Sequence, residues 1–188
     1  MAQLSGKKIQ EQGVALFRKG KFEAALEKFN EALQVLADQP KQAAEIYNDL
    51  GVTYKQLGNY PAAHQALDEA MTRFTQLQDK KGEAQTWGNR ASIYEAEGRL
   101  EEAVETYKIS ASMLEEVGES ELAMYVWQAV SKLRTKQGQY IAAIGAYEEG
   151  IENMPEGSLK RKVLQQILKL PGSMLGLAGS GSELDKDK

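Results

Sequence analysis

The sequence has no cysteine and a single histidine, His64. The absence of cysteine excludes disulfide bonds and thiolate metal sites, and it is compatible with the reducing cytoplasm. One histidine cannot supply a catalytic dyad or a histidine-rich metal site, and no calcium-binding loop pattern is present. We therefore expect neither enzymatic activity nor a cofactor, and we interpret His64 as a surface or packing residue.

Proline is scarce as well, with four in 188 residues, and three of the four stand where helical patterns pause. The net charge of −4 argues against binding along a nucleic-acid backbone, which normally needs a basic surface. No apolar run approaches the roughly 18 residues that suggest a membrane-spanning helix. Residues 1–8 lead into amphipathic sequence, unlike a secretory signal. We expect a cytoplasmic protein with no nucleic-acid partner and no membrane span.

What the sequence does contain is an internal repeat marked by four glycines, spaced by 38, 40 and 40 residues: Gly20, Gly58, Gly98 and Gly138. The fifth residue after each glycine is alanine: Ala25, Ala63, Ala103 and Ala143. The seventh residue before it is small: Gly13, Gly51, Ala91 and Ser131. Bulky residues recur eleven before it and nine after it. Large and small residues at helical spacing on both sides of a glycine predict a repeated helical hairpin.

The glycine can adopt positive φ and end the first helix of each hairpin, while the alanine lets the second helix approach closely. Each hairpin then has one apolar face that only a neighbouring hairpin can bury. The pattern predicts nine helices, near 5–18, 22–37, 42–57, 61–78, 81–97, 100–117, 119–137, 141–153 and 158–169. The last should begin at Ser158 as N-cap and cover the end of the stack.

Residues 47–63, YNDLGVTYKQLGNYPAA, resemble the tetratricopeptide-repeat (TPR) family signature. The resemblance covers four repeats, at about 6–39, 44–78, 84–118 and 124–157, and the period near 40 resembles the variant found in kinesin light chains. It implies an all-α fold, a right-handed superhelix or α-solenoid, closed by a capping helix at 158–170. The extra residues should extend the helices around 78–82 and 117–120. The glycine- and serine-rich segment 171–188 is expected to be disordered.

The resemblance also implies a protein or peptide partner, bound in a concave groove lined by the first helices. The residues expected to face it are Asn48, Asp49, Val52, Lys55, Asn89, Ser92, Gln128 and Lys132. The amides of Asn48, Asn89 and Gln128 can both donate to and accept from a peptide backbone. Acidic residues early in the groove and basic residues late, Lys132 and Lys136 near Arg134, suggest a charge gradient.

The best-known TPR specificity, a clamp for a chaperone's C-terminal carboxylate, is not expected. Five positions depart from it: Gln10, Val14, Asp49, Gln85 and Asn89. An adaptor or assembly factor is the leading hypothesis. The alternatives are a self-associating scaffold, joined through a solenoid end or the terminal helix, and an autoinhibited binder whose residues 174–178 fill its own groove. The expected state is a monomer or a weak homo-oligomer.

Overall fold

A computed structural model describes residues 2–154 and 156–168, and these residues form nine α-helices and no strand. The helices are α1 (Ala2–Arg18), α2 (Phe22–Leu36), α3 (Pro40–Gln56), α4 (Tyr60–Gln76), α5 (Lys80–Ala96), α6 (Leu100–Glu116), α7 (Ser120–Lys136), α8 (Tyr140–Glu152) and α9 (Leu159–Leu168). The predicted all-α fold is confirmed, and each helix boundary lies within three residues of the predicted one. The predicted disordered segment 171–188 lies outside the described residues.

A left-handed glycine ends the first helix of every hairpin, as the repeat predicts. Gly20, Gly58, Gly98 and Gly138 have φ values of 71°, 73°, 79° and 72°. After α3, the Gly58 amide donates to the Lys55 carbonyl at 3.0 Å and the Asn59 amide donates to the Tyr54 carbonyl at 3.0 Å. These bonds satisfy carbonyls that the helix end would otherwise leave unpaired, and they turn the chain back toward α4.

The turns between hairpins are as short as those within them, so the extra residues of the 40-residue period lie in the helices, as predicted. Helix α4 ends at Gln76 and α5 begins at Lys80, so residues 77–79 form a turn. Gln78 has a φ of 54°, which ends the helix, and the Asp79 carboxylate accepts from the Gly82 amide at 2.9 Å, which starts the next. Gly118, with a φ of 77°, ends α6 in the same way.

Stacking follows the order of the chain: α2 packs on α3, α4 on α5 and α6 on α7, while the first helices α3 and α5 also meet. The core runs along the stack and includes the signature alanines, which are buried. The fold is therefore a TPR-type solenoid whose first helices line one continuous inner surface.

Helix α9 packs against α8 at the end of the stack. The predicted N-cap is confirmed, because the Arg161 amide donates to Ser158 Oγ at 3.2 Å. Arg161 Nη1 also donates to the Met154 carbonyl at 2.8 Å, which ties the start of α9 to the end of the last hairpin. Within the described part of the chain, no helix combines the length and the apolar character needed to cross a membrane.

Candidate protein-binding groove

The first helices α1, α3, α5 and α7 border a concavity of about 710 Å³, which we call the groove. Six of the eight predicted groove residues line it: Asn48, Asp49, Val52, Lys55, Asn89 and Ser92. Gln128 and Lys132 do not, because the groove meets α7 at Leu122, Tyr125, Val126 and Ala129 instead. The groove therefore runs along α3 and α5 and reaches only the first part of α7.

Hydrogen bonds between side chains connect successive first helices across the groove. Gln10 Nε2 donates to Asp49 Oδ2 at 2.9 Å, joining α1 to α3. Asn89 Nδ2 donates to Asn48 Oδ1 at 3.3 Å, joining α5 to α3. Two of the three predicted amides, Asn48 and Asn89, are thus adjacent, and each retains further hydrogen-bonding capacity because a primary amide has two donors and two acceptor sites. Gln128 stands apart from this pair.

An acidic and a basic side chain of the groove, Asp49 and Lys55, are desolvated. Burial raises the pKa of Asp49 to about 6, against the opposing effect of the Gln10 hydrogen bond, and nearby Glu45 raises it further. Burial also lowers the pKa of Lys55, whose Nζ donates to Ser92 Oγ at 3.2 Å. Perturbed pKa values of this kind are typical of functional sites, since a bound ligand can replace the interactions with water that the charged side chains lose on burial.

The sequence analysis did not predict the apolar residues at the bottom of the groove, which we call its floor. Phe74, Tyr107 and Leu114 belong to second helices and yet line the groove. In the sequence Tyr107 is an ordinary core position, since a large residue comes nine residues after each turn glycine. Gly88 could have indicated this floor from the sequence, since it lacks a side chain at the position where other repeats carry Asn48 and Gln128. A Cβ at Gly88 would lie 3.1 Å from Ser110 Oγ, so the glycine leaves the second helix open to the groove.

The basic end of the groove is less positive than the sequence suggested. Lys136 Nζ lies 2.9 Å from Glu95 Oε1, and Arg134 Nη1 lies 2.9 Å from Glu101 Oε2. Both cations are compensated by these ion pairs. The charged residues that line the groove are therefore all on α3, with Glu45 and Asp49 at its acidic end and Lys55 further along the helix. Among the residues that the structure describes, no cluster of three potential metal ligands is present.

The fold and the groove define a TPR-like solenoid, a class that generally serves as a protein–protein interaction scaffold. Within this class, the chain belongs to the family described as soluble NSF attachment protein, SNAP, which it matches over residues 7–170.

Solved structures agree with the fold. The chain is similar to the nearly identical TPR-like repeats described for a kinesin light chain of Podosopora anserina, with 14% identity, a TM-score of 0.67, and coverage of 89% of this chain and 85% of that one. It is also similar to BtubC (BKLC) from P. vanneervenii, with 16% identity, a TM-score of 0.68, and coverage of 100% and 72%. Likenesses at this identity establish the fold alone. A comparison with curated proteins gave no significant match.

Proposed function

We propose that this protein is a non-enzymatic adaptor that holds a peptide segment of a partner protein in the groove. The main support is that one concavity of about 710 Å³ combines polar side chains from α3 and α5 with apolar and aromatic side chains of α6 and α7. A concavity of this size, with a few polar groups set in an apolar lining, is typical of ligand sites.

The lining favours a particular partner chemistry. Asn48 and Asn89 suit the backbone of an extended peptide, since each can both donate and accept. The floor near Tyr107 and Leu114 suits an aliphatic or aromatic side chain. The acidic end, with Asp49 and Glu45, favours a basic residue and disfavours a terminal carboxylate, so a chaperone C-terminus is not the expected ligand.

Two further observations support this function. The SNAP family is named for attachment to another protein, NSF, and membership is consistent with a role in holding a partner. The cysteine-free composition fits a cytoplasmic setting.

The groove can be tested without knowing the partner by selecting binders from a random peptide library displayed on phage. Selected peptides should share a basic residue and an apolar residue at a fixed spacing. Asn89→Ala and Tyr125→Ala should each weaken their binding about tenfold or more, measured by fluorescence anisotropy, because each change removes contact area or a hydrogen-bonding group.

A matched control is Gln65→Ala, since Gln65 lines a separate groove between α2 and α4. This variant should bind the selected peptides as the wild type does, and circular dichroism should show equal helicity for all three variants. If Gln65→Ala weakens binding as much as the groove variants do, the groove is not the binding site.

A further inference from the structure

The C-terminal end of the solenoid exposes large apolar side chains on two neighbouring helices. On α8, Ile141 is 90% exposed and Ile144 is 42% exposed. On α9, Leu159 is 78% exposed and Val163 is 45% exposed. We call these four residues the terminal patch. It lies outside the groove, and the function proposed for the groove does not use it.

Ile144 occupies a position that packs against the next hairpin in the other repeats. Six residues after the turn glycine, His64 lies with its ring 5.3 Å from that of Tyr94 on α5. At the same position of the third repeat, Val104 is fully buried within a cluster that includes residues of α7. Ile144 is exposed because no further hairpin follows α8 among the described residues.

Ile141 stands three residues after the turn glycine, where the other repeats have the exposed residues Glu23, Pro61 and Glu101. Its counterpart Glu101 accepts hydrogen bonds from Arg134 of the next hairpin at 2.9 Å. A charged residue at this position can face solvent at little cost in free energy. An isoleucine that faces solvent forgoes the stabilisation that burial of its apolar side chain would give. Ile144 therefore occupies a position that is covered in the inner repeats, and Ile141, 90% exposed, enlarges the apolar surface beside it.

The opposite end of the solenoid is adapted to water. Eight residues before the turn glycine, Leu50 and Val130 are buried against the preceding hairpin, but the first repeat has exposed Gln12 at that position. Five residues before the glycine, Ile93 is buried, but the first repeat has exposed Ala15. Each chain thus has one polar end and one apolar end.

The two helices of the terminal patch carry opposite charges beside their apolar residues. Helix α8 has exposed Glu148 and Glu152, while α9 has half-buried Arg161 and exposed Lys162. Helix α9 touches α8 of its own chain but leaves Leu159 and Val163 exposed. A basic, apolar α9 is therefore complementary to an acidic, apolar α8.

We propose that the terminal patch is covered by a second copy of this chain, in a symmetric tail-to-tail dimer in which α9 of each copy packs on α8 of the other. A closed twofold contact buries the apolar end of both chains at once, because the same patch of each copy lies against that of the other. A head-to-tail arrangement would instead place the terminal patch on the polar face of α1 and would extend without limit.

The dimer is tested by sedimentation velocity of the full chain from about 1 to about 200 µM, a range that detects micromolar dissociation constants. The wild type should show a concentration-dependent dimer. Ile141→Glu should raise the dissociation constant at least about tenfold, because it places a charge at the centre of the contact. The matched control is Ile109→Glu, since Ile109 is 44% exposed on α6, outside the patch, and this variant should dimerise as the wild type does.

A charge exchange tests the arrangement of the helices. Glu148→Lys should weaken the dimer, and adding Lys162→Glu to the same chain should restore it, since both symmetric contacts regain opposite charges. Restoration supports α9 on α8 of the other copy, and failure to restore overturns that arrangement.

Other outcomes overturn the proposal as a whole. A wild type that is monomeric throughout the concentration range would do so, as would equal weakening by Ile109→Glu. A wild-type monomer that dimerises only after deletion of residues 169–188 would assign the patch to the chain's own C-terminal segment instead.

Discussion

At the scale of single residues, Asp49 of the groove lowers the stability of the folded protein when its carboxylate is charged. Its carboxylate is desolvated and its hydrogen-bond donor is the neutral amide of Gln10 rather than a cation. The charged form is therefore less stable in the folded chain than in the unfolded chain, since the unfolded chain leaves it in water. A residue that opposes folding in this way is better explained by ligand binding than by packing.

Asp49→Asn should stabilise the protein at neutral pH. The folded-state pKa of Asp49, about 6, lies above the ordinary 3.8, so protonation favours folding. That stabilisation is fully present below about pH 4 and is lost as the pH rises through about 6. Asparagine removes the charge and keeps an acceptor for Gln10, so the variant should be more stable than wild type by about 1–3 kcal/mol at about pH 7.5. Urea unfolding followed by circular dichroism measures the difference.

The difference between variant and wild type should shrink toward zero at about pH 4, where Asp49 itself becomes neutral. The control Asp38→Asn removes an exposed carboxylate in the turn before α3 and should leave the pH dependence unchanged. A constant advantage of Asp49→Asn at every pH would contradict the assignment of the effect to this titration.

At the scale of helices, small residues set the distance within each hairpin. A Cβ placed on Gly51 of α3 would lie 2.5 Å from Leu67 Cδ2 and 3.3 Å from the Ala63 carbonyl of α4. Leu67 is fully buried and the carbonyl belongs to the helix backbone, so neither can move freely. The close packing of α3 on α4 therefore depends on the absence of a side chain at Gly51.

Gly51→Val should destabilise the protein by about 1–3 kcal/mol, because overpacking outweighs the higher helix propensity of valine. Thermal or urea unfolding measures the loss. Gly145→Val is the matched control, since Gly145 is also inside a helix but a Cβ added there would have no neighbour within 4 Å. It should leave stability unchanged or slightly higher, and a similar loss in both variants would rule out the crossing as the cause.

Much of the helical framework could be predicted because each hairpin repeats the same local chemistry. Gly58 and its three equivalents identify the turn, and Ser158 identifies the start of α9. The positive φ of Gln78 could not be predicted, because glutamine seldom adopts this conformation and here it depends on neighbouring helices being fixed in place. Local signals thus predict turns made by glycine better than turns imposed by packing.

The groove was predicted less completely than the helices. Position within the repeat led to Asn48 and Asn89, which line the concavity because α3 and α5 face it in equivalent ways. It also led to Gln128 and Lys132, which do not line it, because the groove meets α7 at different positions. It also missed Tyr107, since a sequence pattern distinguishes core from surface but does not show where a missing side chain, as at Gly88, opens the core to a ligand.

At the scale of the whole molecule, burial is unequal along the stack. Helix α6 buries seven residues, whereas α8 buries only Ala143, Gly150 and Ile151. In a solenoid each hairpin is stabilised only by its neighbours, and the last hairpin has one neighbouring hairpin and the short helix α9 where the inner hairpins have two neighbouring hairpins. The molecule should therefore open first at its C-terminal end.

Hydrogen exchange followed by mass spectrometry should show this inequality. Backbone amides of α8 should exchange at least about tenfold faster than those of α6 in dilute protein, since opening of α8 breaks fewer packing contacts. Protection of α8 should increase with protein concentration if the terminal patch is covered by a second copy, and α6 should change little. Equal protection of both helices at all concentrations would mean that the chain unfolds as one unit.

The polar surface around Gln12 and the exposed isoleucines of α8 also bear on how such a protein changes length over evolution. A duplicated hairpin inserted after α8 would meet Ile144 at a position that packs against the next hairpin in the inner repeats, and it would displace α9. A hairpin inserted before α1 would meet Lys8 and Gln12 and would require several simultaneous substitutions. The gene is therefore open to growth by duplication at one end of the solenoid and resistant to it at the other.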